Sequence, residues 1–172
     1  MRGSLLWKCL MALAAVATLA GCVGAPTRET LAVTLPGIAT VPGSVSVVAG
    51  GSERPTLPEL KGAIEDSITR THLFKGVVQG PGGDYELTVF IWNVRNPVVG
   101  FNMTVDMEMG WTLVRSSDKA VLLRKTIKTT HTTRAGEAFA GVDRVHMAQA
   151  EAARENIREG LKAISDLRLQ GF

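Results

Sequence analysis

Cysteine is nearly absent from this 172-residue chain: there are two, Cys9 and Cys22. None follows Cys22, so the body of the protein has no thiol nucleophile, Cys-ligated zinc, redox pair or disulfide. Histidine is also sparse. His72, His131 and His146 fall on a predicted helix end, a strand and a helix, without the His-x-His or Glu-x-x-His spacing that converges on a metal. No Gly-x-Ser-x-Gly elbow is present for Ser-His-Asp chemistry. Long apolar runs are missing too. The longest, Leu10 to Ala20, falls short of the roughly 20 residues that cross ~30 Å of hydrocarbon. No catalytic residue, metal or cofactor is expected from these counts.

That apolar run sits in a recognisable frame. Arg2 and Lys8 precede it, no charge interrupts it, and it exits through small residues at Leu19-Ala20-Gly21-Cys22. A cationic start, an apolar middle and a small-residue exit make a secretory signal. The four-residue exit resembles the lipobox of bacterial lipoproteins. The resemblance implies cleavage between Gly21 and Cys22, diacylglycerol on the Cys22 thiol and an acyl group on the new amine. Val23 follows, where an aspartate would be the usual inner-membrane retention signal of such lipoproteins, so the resemblance also implies the outer membrane, with the domain facing the periplasm.

The formal net charge of +3 would suggest an anionic partner if it belonged to the mature chain. Removing residues 1–21 takes Arg2 and Lys8 from 19 basic side chains and nothing from 16 acidic ones, leaving 17 against 16. Nucleic acid is therefore not an expected partner. The expected organisation is a signal peptide over 1–21, lipidated Cys22 with a flexible tether over 22–30, and one domain over 31–172, long enough to bury a core without staples.

Within that domain, "LAVTL" and "SVSVV" predict one or two short strands between Leu31 and Gly51. Thr56 and Glu59 have capping-box spacing, with Pro58 in the first turn. Leu60, Ala63, Ile64, Ser67, Ile68 and Thr71 follow at helical intervals, with Lys61, Glu65, Asp66 and Arg70 toward water. That helix is predicted to end near Phe74. The strongest period-two pattern runs through Phe101, Met103, Val105, Met107, Met109, Trp111 and Leu113. Tyr85, Leu87, Val89 and Ile91 form a similar series before it, and Val121, Leu123 and Ile127 a weaker one after it. A turn at Ser116 to Lys119 and a loop at Asn96 to Gly100 join the three into an antiparallel meander. A short turn would set Leu113 near Val121, Trp111 near Leu123 and Asp106 across from Lys128, with Glu108 diagonal to Arg124 and Lys128. Lys125 would fall opposite Met109. A terminal helix is expected from about Val142 to Leu167, with Val145, Ala148, Ala152, Ala153, Ile157, Leu161 and Ile164 on its buried stripe.

Several constellations could carry chemistry. Asp106 and Glu108 lie about 7 Å apart along one strand face, two residues at a rise of ~3.4 Å, within the range of paired glycosidase carboxylates. Their cationic neighbours make surface pairing the simpler reading. The threonine-rich "KTIKTTHTTR", Lys125 to Arg134, reads as an exposed strand before it reads as a sugar or phosphate site. Met103, Met107 and Met109 read as core under a helix. Phe90 and Trp92 differ, because they share the strand face opposite Leu87, Val89 and Ile91. If helices cover the odd-numbered face, this aromatic pair is a candidate partner patch. The alternative, that Leu31 to Val48 folds over them, stays open.

The expected fold is α+β: an antiparallel sheet of three long strands plus one or two short N-terminal strands, with two helices packed on one face. This order of elements resembles small envelope lipoproteins of Gram-negative bacteria that act as adaptors or assembly accessories. The resemblance implies a non-enzymatic protein, anchored to the membrane through its N-terminal lipid and bound to another envelope protein. The alternative is a binding module for a small lipid or glycan held between helices and sheet.

Overall fold

The computed structural model describes residues 25–51, 57–96, 100–138 and 140–169. The expected signal peptide, the expected lipobox with Cys22, and Thr56 of the expected capping box lie outside the described residues. Eight elements follow in order: α1 (Arg28–Leu31), β1 (Val41–Gly51), α2 (Leu57–Thr71), β2 (Phe74–Val78), β3 (Tyr85–Arg95), β4 (Met103–Arg115), β5 (Val121–Thr133) and α3 (Gly141–Ser165). The five strands form one sheet in the order β2-β1-β3-β4-β5. No described helix is long and apolar enough to cross a membrane.

The sheet is mixed, not antiparallel. β3, β4 and β5 form the expected meander, but β1 runs parallel to both of its neighbours. The cause is α2, which carries the chain back along the sheet after β1, so that β2 starts level with Val41 and points the same way. β2 occupies the end of the segment that helical spacing extended to Phe74. α2 instead stops at Thr71, His72 takes φ 52° in the turn, and Phe74 enters the sheet, its ring centroid 5.6 Å from that of Tyr85. β1 is also longer than expected, 11 residues.

The "QGPGGD" stretch then carries the chain from β2 across β1 to β3. Gly80 and Gly82 have φ of 82° and 117°, which L side chains rarely adopt. Gly83 packs so closely on β1 that a Cβ would stand 2.7 Å from the Ser46 amide nitrogen. Asp84 closes the crossing. Its Oδ2 accepts from the Ser44 backbone N–H at 2.7 Å and the Ser44 hydroxyl at 2.9 Å. These bonds, the backbone one first, hold its carboxyl below the usual carboxylate range.

Both long helices lie on one face of the sheet, α2 over β1 and β2, and α3 over β4 and β5. Beneath them Leu87, Val89 and Ile91 of β3 and Val105, Met107, Met109, Trp111 and Leu113 of β4 are buried. The α2 stripe from Leu60 to Thr71 is buried as its spacing requires. Glu65 departs from expectation: it is buried beside Lys61, whose Nζ lies 2.7 Å from its Oε1. Phe101 departs the other way. β4 begins only at Met103, and Phe101 is 85% exposed in the loop before it.

The β4–β5 register sits two residues from the expected one. Leu113 pairs with Leu123, Met109 with Ile127, Glu108 with Lys128 and Asp106 with Thr130. The hairpin is one residue longer because Arg115 N–H bonds to Ala120 O at 2.9 Å, and an irregularity after Leu113 absorbs another residue at Leu122. The slip is even beyond the irregularity, so side chains from Leu123 onward keep their predicted face, whereas Val121, expected on the covered face opposite Leu113, pairs with Val114 and is 51% exposed. Lys125 therefore stands opposite Trp111, not Met109, and is exposed on the edge strand.

Candidate functional site

The two faces of the sheet are built differently. On the covered face, Trp111 is fully buried and its indole lies against Gly160 of α3, where a Cβ would overlap the ring. Its Nε1–H donates to Asn156 Oδ1 at 2.9 Å. Asn156 Nδ2 donates in turn to Ile127 O at 2.9 Å and Thr129 Oγ1 at 3.3 Å, and the Thr129 hydroxyl donates to Ala152 O at 2.8 Å. Each polar group of this interior network has a partner, so it stabilises α3 on the sheet and has no free valence for a ligand. Trp111, Met107, Met109 and Leu161 fill the space where a lipid or glycan between helices and sheet would have to lie.

The other face carries no layer of secondary structure among the described residues. β3 presents Phe90, 39% exposed, and Trp92, 64% exposed. Their ring centroids are 4.8 Å apart at 55°, an orientation that aromatic pairs favour. The rings have room because of their neighbours. Phe90 is paired with Gly50 on one side and Gly110 on the other. A Cβ on Gly50 would stand 2.6 Å from Phe90 Cδ2, and one on Gly110 would overlap the Trp92 indole. The rings therefore lie down across glycine backbone on adjacent strands and form a flat apolar patch bordered by Val48, 47% exposed. The segment from Leu31 to Val48 does not fold over them. Leu31 and Val33 are buried in the hydrophobic core, and β1 lies beside β3 within the sheet.

The remaining candidates separate. Asp106 Oδ1 accepts from the Thr130 hydroxyl at 2.7 Å, and Glu108 Oε2 lies 3.3 Å from Lys128 Nζ. Both carboxylates are thus engaged by β5, Glu108 directly across from Lys128 and not diagonal to it. Among the grooves on the surface, one lies between Leu35 to Thr40 and the end of α3, one between Ala25 to Thr30 and the first half of α3, and one around Asp106 and Lys128 themselves. His72 sits in the turn after α2, His131 on β5 and His146 on α3, and no group of metal-ligating side chains converges among the described residues. Two of the five threonines between Lys125 and Arg134, Thr129 and Thr133, are buried, while Thr132 exchanges a 2.8 Å hydroxyl contact with Thr104 on the open face.

Sequence reasoning missed Gly50 and Gly110 as parts of the aromatic patch, and Asn156 as partner of Trp111. A glycine directly across from an exposed aromatic on a neighbouring strand leaves no periodic signal, and a lone asparagine on an apolar stripe reads as an interruption.

No protein-family model and no curated protein matches the chain. Solved structures do. Protein XCC0632 from Xanthomonas campestris matches at 14% identity and a TM-score of 0.63, over 80% of this chain and 92% of that one. The minor lipoprotein of Acinetobacter baumannii matches at 9% identity and 0.51, over 73% and 92%. A PelC variant from Paraburkholderia phytofirmans, a dodecamer, matches at 12% identity and 0.50, over 76% and 93%. Likeness at these identities is likeness of fold.

Proposed function

We propose that the protein is a non-enzymatic lipoprotein, held by acyl chains on Cys22 in the outer membrane, facing the periplasm, and that its open sheet face docks another envelope protein. The lipobox at Leu19 to Cys22 supports the anchor, and the fold is shared with a protein described as a lipoprotein. One acyl chain binds a bilayer weakly, at about 0.8 kcal/mol per buried methylene, whereas two or three make attachment effectively permanent.

The observation that carries the adaptor role is the patch made by Phe90 and Trp92. A half-exposed aromatic pair supported on glycine backbone costs folding little to keep, offers rigid apolar area, and is the residue type that dominates interface energetics. Phe90 and Trp92 are the partner residues in this reading; no residue is assigned a catalytic, metal or cofactor role. The two halves of the proposal have separate tests. Intact mass of the native product is expected to show diacylglycerol and acyl additions on a chain starting at Cys22, and an unmodified thiol would remove the anchor. Capture from solubilised envelopes with the native protein is expected to yield one stoichiometric protein partner, lost with Trp92→Ala while the melting temperature is retained. Co-purifying lipid without any protein partner would favour the ligand-module alternative.

A further inference from the structure

The folded body starts closer to the anchor than the sequence suggests. Thr27 caps α1: its Oγ1 accepts from Thr30 N–H and its own N–H donates to Thr30 Oγ1 at 2.9 Å. Leu31 is fully buried. Arg28 Nε donates to Asp66 Oδ2 at 2.7 Å, with a second bond to Oδ1 from the same guanidinium. This bidentate pair, chiefly its hydrogen bonds, holds the Asp66 carboxyl below its ordinary range. α1 is thus fastened to α2 on one side. On the other, Ala25 and Pro26 line a groove with His146, Met147 and Ala150 of α3. The chain therefore enters the fold on the outer surface of the helical layer, between the two long helices and above the middle of the sheet.

From this we infer that the helical layer faces the bilayer and that the Phe90–Trp92 face is turned away from it, toward the aqueous compartment. The inference rests on the lipoprotein reading above. Cys22 to Thr27 is five residue steps, at most ~17 Å in any conformation. To lay the open face on lipid, that tether would have to pass sideways over two strands, about 10 Å, and then down a helical layer about 10 Å thick, before clearing the side chains at the sheet edge. The reach is too short. Electrostatics does not compete with it, because the charges beside the entry point cancel in pairs, Arg28 with Asp66 and Arg154 with Glu151. An orientation set by the tether explains how a patch this apolar escapes the membrane and remains open to a protein.

The lipidated protein offers a clean test, since no free thiol remains once Cys9 is cleaved off and Cys22 is acylated. Single-cysteine variants Glu151→Cys on α3 and Thr126→Cys on the open face of β5 would carry an environment-sensitive fluorophore. Each would be bound to vesicles of zwitterionic phosphatidylcholine bearing a head-group nitroxide, so that the Arg154 left unpaired by Glu151→Cys meets no net lipid charge. Quenching is expected to be several-fold stronger at position 151 than at 126. Equal or reversed quenching in protein that floats with the vesicles would overturn the inference and leave the lipoprotein reading standing. Failure to float, with an unacylated Cys22 by mass, would remove both. A Gly-Ser insertion of about twelve residues after Val23 adds ~20 Å of average reach and is expected to erase the difference; a difference that survives it would overturn the tether as the cause.

Discussion

Two tryptophans, one on each face of the sheet, each lie across a glycine, and the contrast between them separates stability from availability. Trp111 rests on Gly160 of a helix that closes over it, with its N–H bonded to Asn156. Trp92 rests on Gly110 of the neighbouring strand, is 64% exposed, and packs against the ring of Phe90. The same local device gives opposite outcomes because glycine opposite a large ring removes a Cβ in both cases, while only the first ring is sealed by a second layer. Burial of the whole ring makes Trp111 part of what holds the helix and sheet together. Support from one side only leaves Trp92 as surface that a partner can cover.

That contrast can be broken at its buried end first. Trp111→Ala is expected to cost about 3–5 kcal/mol, as large-to-small core changes do, and to lower the denaturant midpoint strongly. Asn156→Ala leaves the indole N–H without its Oδ1 acceptor and Ile127 O without its Nδ2 donor in the interior, for an expected loss of about 1–3 kcal/mol. A loss well under that range would show that water or another group satisfies them.

The exposed end sharpens the comparison by its small size. Trp92→Ala is expected to change chemical stability by less than about 1 kcal/mol, since a surface ring has little area to lose, while partner capture falls. Gly110→Ala gives the same ring a Cβ to climb over, and because Trp92 is free to swing outward it too is expected to cost little stability, with a shifted Trp92 emission maximum as its signature. A loss as large as that of Trp111→Ala would show that the patch is core.

The smallest effect concerns acid. Asp84 and Asp66 both titrate below the ordinary carboxylate value in the fold, the first through its bonds from Ser44 and the second through its bonds from Arg28. A carboxylate whose pKa is depressed by folding contributes stability above its unfolded pKa, near 4, and loses that contribution as pH falls through the lower folded value. Thermal scans are therefore expected to show a modest drop below about pH 4, and Asp84→Asn to flatten part of it while removing the corresponding stability at neutral pH.

Much of this layout is legible without a structure. The stripe of α2, the meander and the faces of β3 up to Ile91 and of β4 from Val105 to Leu113 follow from spacing alone, and so do the buried Met107 and Met109 and the outward Phe90 and Trp92; past Ile91 an irregularity turns Val94 toward the core and Asn93 and Arg95 outward. The buried face of α3 is legible only in its apolar half. Gln149, Asn156 and Ser165 are buried there too, and their burial depends on partners at Asn96, Ile127 and Ala39 that are distant in sequence.

What the sequence determines by itself, then, is the local period: which residues form a helix or strand, and which side of that element is apolar, because both depend on neighbours two to four positions away. The direction of β1, the existence of β2 as an edge, the two-residue offset of the hairpin and the glycine floor beneath the aromatics were decided only in three dimensions. Each of these depends on how the backbone crosses from one strand to another, through the α2 return, the glycine crossing at 80–83 and the irregularity beside Leu113. Strand pairing joins residues far apart in the chain, so no local pattern records it.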